Sequence, residues 1–150
     1  MTFKGELWTV SEGARERFDL RWIFGTDAGG LAPTLDRIHT GKNSGYQAIG
    51  LAYLFGAARV VLLGFDFMVG PKGEHHWHGN HPKGLGNGGA MRYSTWARCM
   101  DVLANDLKRT DCVVVNASRR TALRCFQRVT LEDALDEVRD PVRVRHAGGV

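Results

Sequence analysis

A chain of 150 residues, 43% hydrophobic and 24% charged, fits one globular domain whose core needs no disulfide or metal staple. No apolar run reaches the ~18–20 residues needed to cross a bilayer, and the first twenty residues lack a signal-peptide layout, so a cytosolic location is expected. Three widely spaced cysteines, Cys99, Cys112 and Cys125, argue against a disulfide framework or a Cys-type metal site, and a net charge of +4 is a weak bias toward anionic partners.

In chain order, residues 6–10 and 21–25 are short β-prone runs, and the polar stretch 11–19 between them reads as a helical turn or a loop. Residues 26–42 carry glycines, Pro33 and scattered polar side chains, which predicts mainly loop. From Ser44 to Phe55 the pattern turns helical: Ala48, Leu51, Ala52 and Phe55 share a face, and Gly56 is placed to end the helix. Val60-Val61-Leu62-Leu63-Gly64 is a continuous apolar run, as expected of a strand covered on both faces. The glycine-, proline- and histidine-rich stretch that follows is too broken for regular structure, and such long loops are usually functional or disordered.

The clearest helix spans residues 93–108, where Tyr93, Trp96, Ala97, Met100, Leu103, Ala104 and Leu107 make a broad apolar stripe. Residues 112–116 form a second buried strand, followed by a short helix near 122–126 and an extended piece at Arg128 and Val129. Thr130 is placed to cap a helix over 131–138 with acidic residues in its first turn. Residues 1–140 read as a single domain and 141–150 as a flexible tail. The alternation of helix and buried strand predicts an α/β fold: an open, mostly parallel Rossmann-like sheet with helices on both faces.

Ligands of such sheets gather beyond the carboxyl ends of the strands. The residues expected there are Asp66 after one strand, Asn116 and Ser118 after another, and Asn43-Ser44-Gly45 at a helix start. The helix start is an anion site or a simple cap, and Asp66 is a ligand-holding carboxylate or a turn former. Four of the six histidines fall between His75 and His81. Proton transfer, metal binding and structural hydrogen bonding are all open to them. His76, His78 and His81 with Asp66 are the candidate ligands of a divalent metal, although their spacing matches no established zinc pattern. Trp77 and Tyr93 are placed to stack on a base or sugar. Lys72, Lys83 and Arg92 are placed to offset phosphate charge. The late arginines (Arg119, Arg120, Arg124, Arg128, Arg139, Arg143 and Arg145) are not interleaved with aromatics, which favours a solvated face over a nucleic-acid surface.

Asn43-Ser44-Gly45, the helix ending in Phe55-Gly56-Ala57, and the strand leading to Gly64-Phe65-Asp66 together resemble a block of the bacterial sialyltransferases of the Campylobacter type. The block is also similar to one in 6-hydroxymethylpterin diphosphokinase-like domains and related proteins of motility-associated glycosylation. Small phage proteins with a His-Trp-His-Gly loop resemble this chain most. The likeness runs over residues 43–135. It implies a phage or prophage product in a bacterial host that transfers a group from a nucleotide or nucleotide-sugar donor. Ser44 and Gly45 would contact the phosphate or its sugar, Asp66 would organise the donor, and Arg119 and Arg120 would lie near phosphate. A loop histidine would be the general base: His81 matches the Gly-His position, and His78 is its rival because one residue is inserted after Gly79.

The families begin with a strand and a Gly-rich turn that have no counterpart before residue 43. The first β-α unit is therefore expected to be missing, or supplied by another chain. Two classes of function follow from this reading. One is a glycosyl or phosphoryl transferase. The other is a non-catalytic nucleotide- or metal-binding module that pairs an exposed sheet edge with itself or a partner.

Overall fold

The computed structural model of the chain describes residues 4–76, 79–82 and 86–139. Its elements are β1 (Trp8–Thr9), α1 (Glu12–Phe18), β2 (Arg21–Trp22), β3 (Phe24–Thr26), β4 (Arg37–His39) and α2 (Ser44–Leu54), then β5 (Arg59–Leu62), α3 (Ala90–Leu107), β6 (Val113–Asn116), β7 (Gln127–Arg128) and α4 (Leu131–Arg139). Every strand pairing among the described residues is parallel: β1 with β2, β3 with β4, and β5–β6–β7 in that order. The class is α/β, as expected. The strands, however, form ladders of only two and three members.

Ile23 alone separates β2 from β3. The Arg21 and Ile23 amides donate to Leu7 and Thr9 of the β1 segment at 2.9 and 3.1 Å, whereas the Thr26 carbonyl accepts from Thr40 beyond β4 at 2.9 Å. Alternate residues of a parallel strand bond to opposite edges, so the run 21–26 carries β1 on one edge and β4 on the other. The β4 strand was expected to be loop. Its sequence offers one apolar residue, Ile38, and that residue is 3% exposed because α2 lies on it. A Cβ on Gly50 of α2 would sit 3.7 Å from Ile38, an ordinary contact. Tertiary cover, not propensity, makes this strand.

The polar stretch 11–19 resolves into α1, capped by the Ser11 hydroxyl accepting from Ala14 N–H at 3.3 Å and closed by Asp19 at φ +50°. It buries none of its residues. The three-stranded ladder is covered on both sides. Leu62 and Val114 pack with Met100, Leu103 and Leu107 of α3, while Val61 and Val115 pack with Ala134 of α4. That double cover explains the unbroken apolar runs of β5 and β6. Thr130 caps α4 as predicted, its hydroxyl accepting from Asp133 N–H at 3.0 Å.

The short helix expected near 122–126 is absent. Ala122 N–H donates to Asp66 O (2.8 Å) and Leu123 N–H to the Thr121 hydroxyl (3.1 Å), which holds the segment in a turn against the β5 exit. The segment 141–150, expected to be a tail, lies outside the described residues.

Three contacts moor the loop 27–36, two to helices and one to β4. The buried Tyr46 hydroxyl of α2 donates to Gly30 O at 2.7 Å, His39 Nδ1 lies 2.8 Å from Gly29 O, and Leu31 N–H donates to Asp106 Oδ2 of α3 at 2.9 Å. Gly30 has φ +78°, and a Cβ there would collide with the Asp106 carboxylate. Burial pushes the Tyr46 phenol up from 10.0 to about 12. Its folded-state pKa is raised, so its contribution to stability is whole below about pH 10 and is lost as pH rises through about 12. Urea midpoints measured from pH 8 upward should therefore begin to fall near pH 10, and Tyr46→Phe should lessen that alkaline fall. At neutral pH the same variant should cost about 1 kcal/mol, since Gly30 O keeps its contact with His39. A variant with the same alkaline slope as the parent chain would contradict the assignment.

Candidate functional site

Beyond the ends of β5 and β6 opens a cleft of about 570 Å³. Four pieces of chain meet there: the start of α2 (Asn43, Gly45), the exit of β5 with the loop that follows it (Gly64 to Pro71, Glu74 to His76), the first turns of α3 (Tyr93, Trp96), and Arg120 after β6.

The start of α2 is set by a tight turn. Asn43 N–H donates to Thr40 O at 3.2 Å, and the two central residues, Gly41 and Lys42, have φ +51° and +62°. The Asn43 carboxamide is engaged at both ends, accepting from Tyr46 N–H at 2.8 Å and donating to Gly41 O at 3.1 Å. Of the two readings open for Asn43, the geometry supplies the cap. Gly45 also has a packing reason, because a Cβ there would approach the Phe65 ring to 2.8 Å. Ser44 is exposed and does not line the cleft. With Tyr46 and Gln47 N–H groups both donating to Asn43, the Ser44 and Gly45 amides remain as first-turn donors outside the helical ladder.

Asn116 and Ser118, expected at the ligand, are buried at 0% and 4% exposure and bond within the protein. Asn116 Oδ1 accepts from Ser118 N–H (3.0 Å) and its Nδ2 donates to the Thr121 hydroxyl (3.2 Å). The Ser118 hydroxyl accepts from Phe65 N–H (2.8 Å), and the Thr121 hydroxyl donates to Phe65 O (2.7 Å). These bonds lash the turn after β6 to the exit of β5. Asp66 is exposed at that exit and lines the cleft. Arg128 reinforces the turn by donating to Ser118 O and Arg119 O at 3.3 and 3.1 Å, and the turn carries Arg120 to the cleft.

One wall is aromatic. Ring centroids run from Phe65 to Phe67 (6.2 Å), Phe67 to Trp96 (6.4 Å), Trp96 to Tyr93 (5.6 Å) and Tyr93 to His75 (6.5 Å). Phe67 has φ +52°, a left-handed conformation that costs a bulky side chain on the order of 1–3 kcal/mol. Nothing in the residue pattern announced that strain.

The histidines separate. His75 and His76 line the cleft. His75 Nδ1 is buried with no hydrogen-bond partner among the described residues, and its carbonyl accepts from the Tyr93 hydroxyl at 3.1 Å. His81 does not line the cleft; its ring lies 4.1 Å from that of His76, and its amide donates to Asn87 Oδ1 at 2.8 Å. His78, with Trp77 and Lys83, lies outside the described residues. Among the described residues no group of three or more His, Cys, Asp or Glu side chains is arranged to hold a metal ion, so His76, His81 and Asp66 do not make the expected ligand set by themselves. The residues that sequence reasoning passed over are Phe67 and Thr121; His75 was named only as one of the loop histidines. The polar density of Asn116-Ala117-Ser118-Arg119-Arg120-Thr121 after a buried strand was the available signal for Thr121.

Thr121→Val keeps the shape of the side chain and deletes the hydroxyl. Phe65 O, Leu123 N–H and Asn116 Nδ2 would all lose a partner, two of them in buried surroundings. A loss of about 1–3 kcal/mol in urea unfolding is expected. A neutral substitution would show that the clamp does not hold the cleft. No family model, no curated protein and no solved structure matches the chain.

Proposed function

We propose that the chain transfers a group from a nucleotide-linked donor, most simply as a sialyltransferase-like glycosyltransferase, with the donor lying in the cleft described above. The observation that carries this reading is the meeting of the α2 start, Asp66, two imidazoles and Arg120 at one hollow of about 570 Å³, a size suited to a small-molecule ligand. The likeness of residues 43–135 to the sialyltransferases supplies the reaction class, and on that reading the parallel ladders are parts of a Rossmann-like arrangement. Arg120 and the Gly45 amide would take the donor phosphate, with Ser44, expected beside it, just outside the cleft lining. Asp66 would take a hydroxyl of the donor.

A neutral imidazole of the His75–His76 pair would remove the proton from an acceptor hydroxyl as its oxygen bonds to the sugar carbon. The bond from that carbon to the phosphate oxygen breaks with its electron pair, and the nucleotide leaves as the anion. His81, against the His76 ring, would steady it. Among the described residues His75 and His76 reach the hollow and His81 does not, so the base assignment given to His81 shifts toward that pair.

Thermal shift against nucleotides, nucleotide sugars and divalent ions tests the binding half of the proposal. A ligand at about a hundred times its Kd stabilises by ~2.7 kcal/mol. For the chemical half, His75→Ala and His76→Ala should be assayed singly with the donor that binds. At least one should lower kcat by about 10²–10⁴ with little change in Kd, and His81→Ala by less. Full turnover in both single variants rules out the imidazole base. Binding without any turnover in the parent chain would leave a nucleotide-binding module.

A further inference from the structure

The cleft has a direction. Gly45 is seated against the Phe65 ring, and the turn that carries Arg120 is tied to the Phe65 backbone through Ser118 and Thr121. Arg120, Asp66 and the Gly45 amide therefore gather at the Phe65 end. From there the aromatic wall leads away through Phe67 and Trp96 to Tyr93. An anion held by Arg120 would leave the rest of its molecule lying along that wall.

Several of the polar groups that line the cleft are engaged within the protein. The Tyr93 hydroxyl donates to His75 O, Glu74 Oε2 accepts from Lys72 N–H, and the Asn43 carboxamide caps α2. Met68, Val69 and Pro71 complete the lining on this side with apolar surface. Such a wall offers rings and methyl groups to the face of a planar ligand and few fixed groups to its edge. Stacking of this kind tolerates any base, since every base has a π-face.

We infer that the Phe67–Trp96–Tyr93 wall is a ring subsite that stacks the nucleobase of the donor and discriminates little between bases, the phosphates lying at the Arg120 end. This rests on the nucleotide reading above and adds to it an orientation and a specificity.

The test is a set of dissociation constants, followed by tryptophan fluorescence or calorimetry, for UDP, CDP, ADP and GDP beside inorganic pyrophosphate and ribose 5-phosphate. The four nucleoside diphosphates should bind within about fivefold of one another and about tenfold or more tighter than pyrophosphate. Trp96→Leu should weaken the nucleotides by about tenfold and leave pyrophosphate unchanged. Phe67→Leu serves as the second variant if circular dichroism shows the first to be misfolded, and the ligand panel on the parent chain decides the matter without either.

Pyrophosphate binding as tightly as the nucleotides would overturn the ring subsite and leave the anion site standing. A preference of about thirtyfold or more for one base, the size of edge-reading contacts, would overturn the lack of discrimination. No binding by any member of the panel would overturn both this inference and the nucleotide reading beneath it.

Discussion

The Thr121 hydroxyl, together with that of Ser118, ties the turn after β6 to the exit of β5. The Thr121 group gives its proton to the Phe65 carbonyl at the exit of β5 and accepts from Asn116 Nδ2 and from Leu123 N–H. Parallel pairing between β5 and β6 ends at Leu62 and Asn116. From that point the sheet no longer holds the two chains together, and polar side chains take over. Because the network is buried and each member has a partner, it behaves as a rigid extension of the sheet rather than as a pair of loops. Asp66 and Arg120 owe their positions to it, although neither takes part through its side chain.

The opposite border of the cleft depends on α2, and α2 is moored differently. Its own sequence is nearly uniform in apolarity around the helix, and its buried residues are Tyr46, Ile49 and Gly50. Tyr46 and Ile49 join the cluster under α3, and Gly50 lets the helix sit on Ile38. The Gly29–Leu31 backbone is fastened to α2 and α3 together. Helix start and strand exit are thus fixed by separate sets of contacts, which meet where Gly45 touches Phe65.

How much of this was legible in the residues follows from which force decided each element. The helix α3 and the strands β5 and β6 are governed by burial, which marks the sequence, whereas in α2 the buried face is Tyr46, Ile49 and Gly50 and not the expected Ala48, Leu51, Ala52 and Phe55. The bounds of all four differ from expectation by at most about three residues. The Thr130 cap is local chemistry and was equally plain. By contrast β4 exists because of its neighbours, and the segment 122–126 begins with an amide, that of Ala122, held by the carbonyl of the distant Asp66.

The cleft was anticipated in its components, since Asn43-Ser44-Gly45, Asp66 and Arg120 were singled out, but not in their roles. The Asn43 and Asn116 carboxamides and the Ser118 hydroxyl look like ligand contacts in sequence and prove to be internal ties. The histidine loop was the loudest signal. Which of its rings faces the hollow depends on where Tyr93 and Asn87 fasten the loop, and that information is long-range.

The left-handed backbone at Phe67 has a further consequence. A phenylalanine stays in that basin only while its ring contacts repay the strain, and the contacts at hand are those with Phe65 and Trp96. An occupant pressed against the same wall would add to those contacts and deepen the basin. A molecule lying on that wall should therefore slow amide hydrogen exchange along residues 65–70 first, ahead of any change in the sheet behind it.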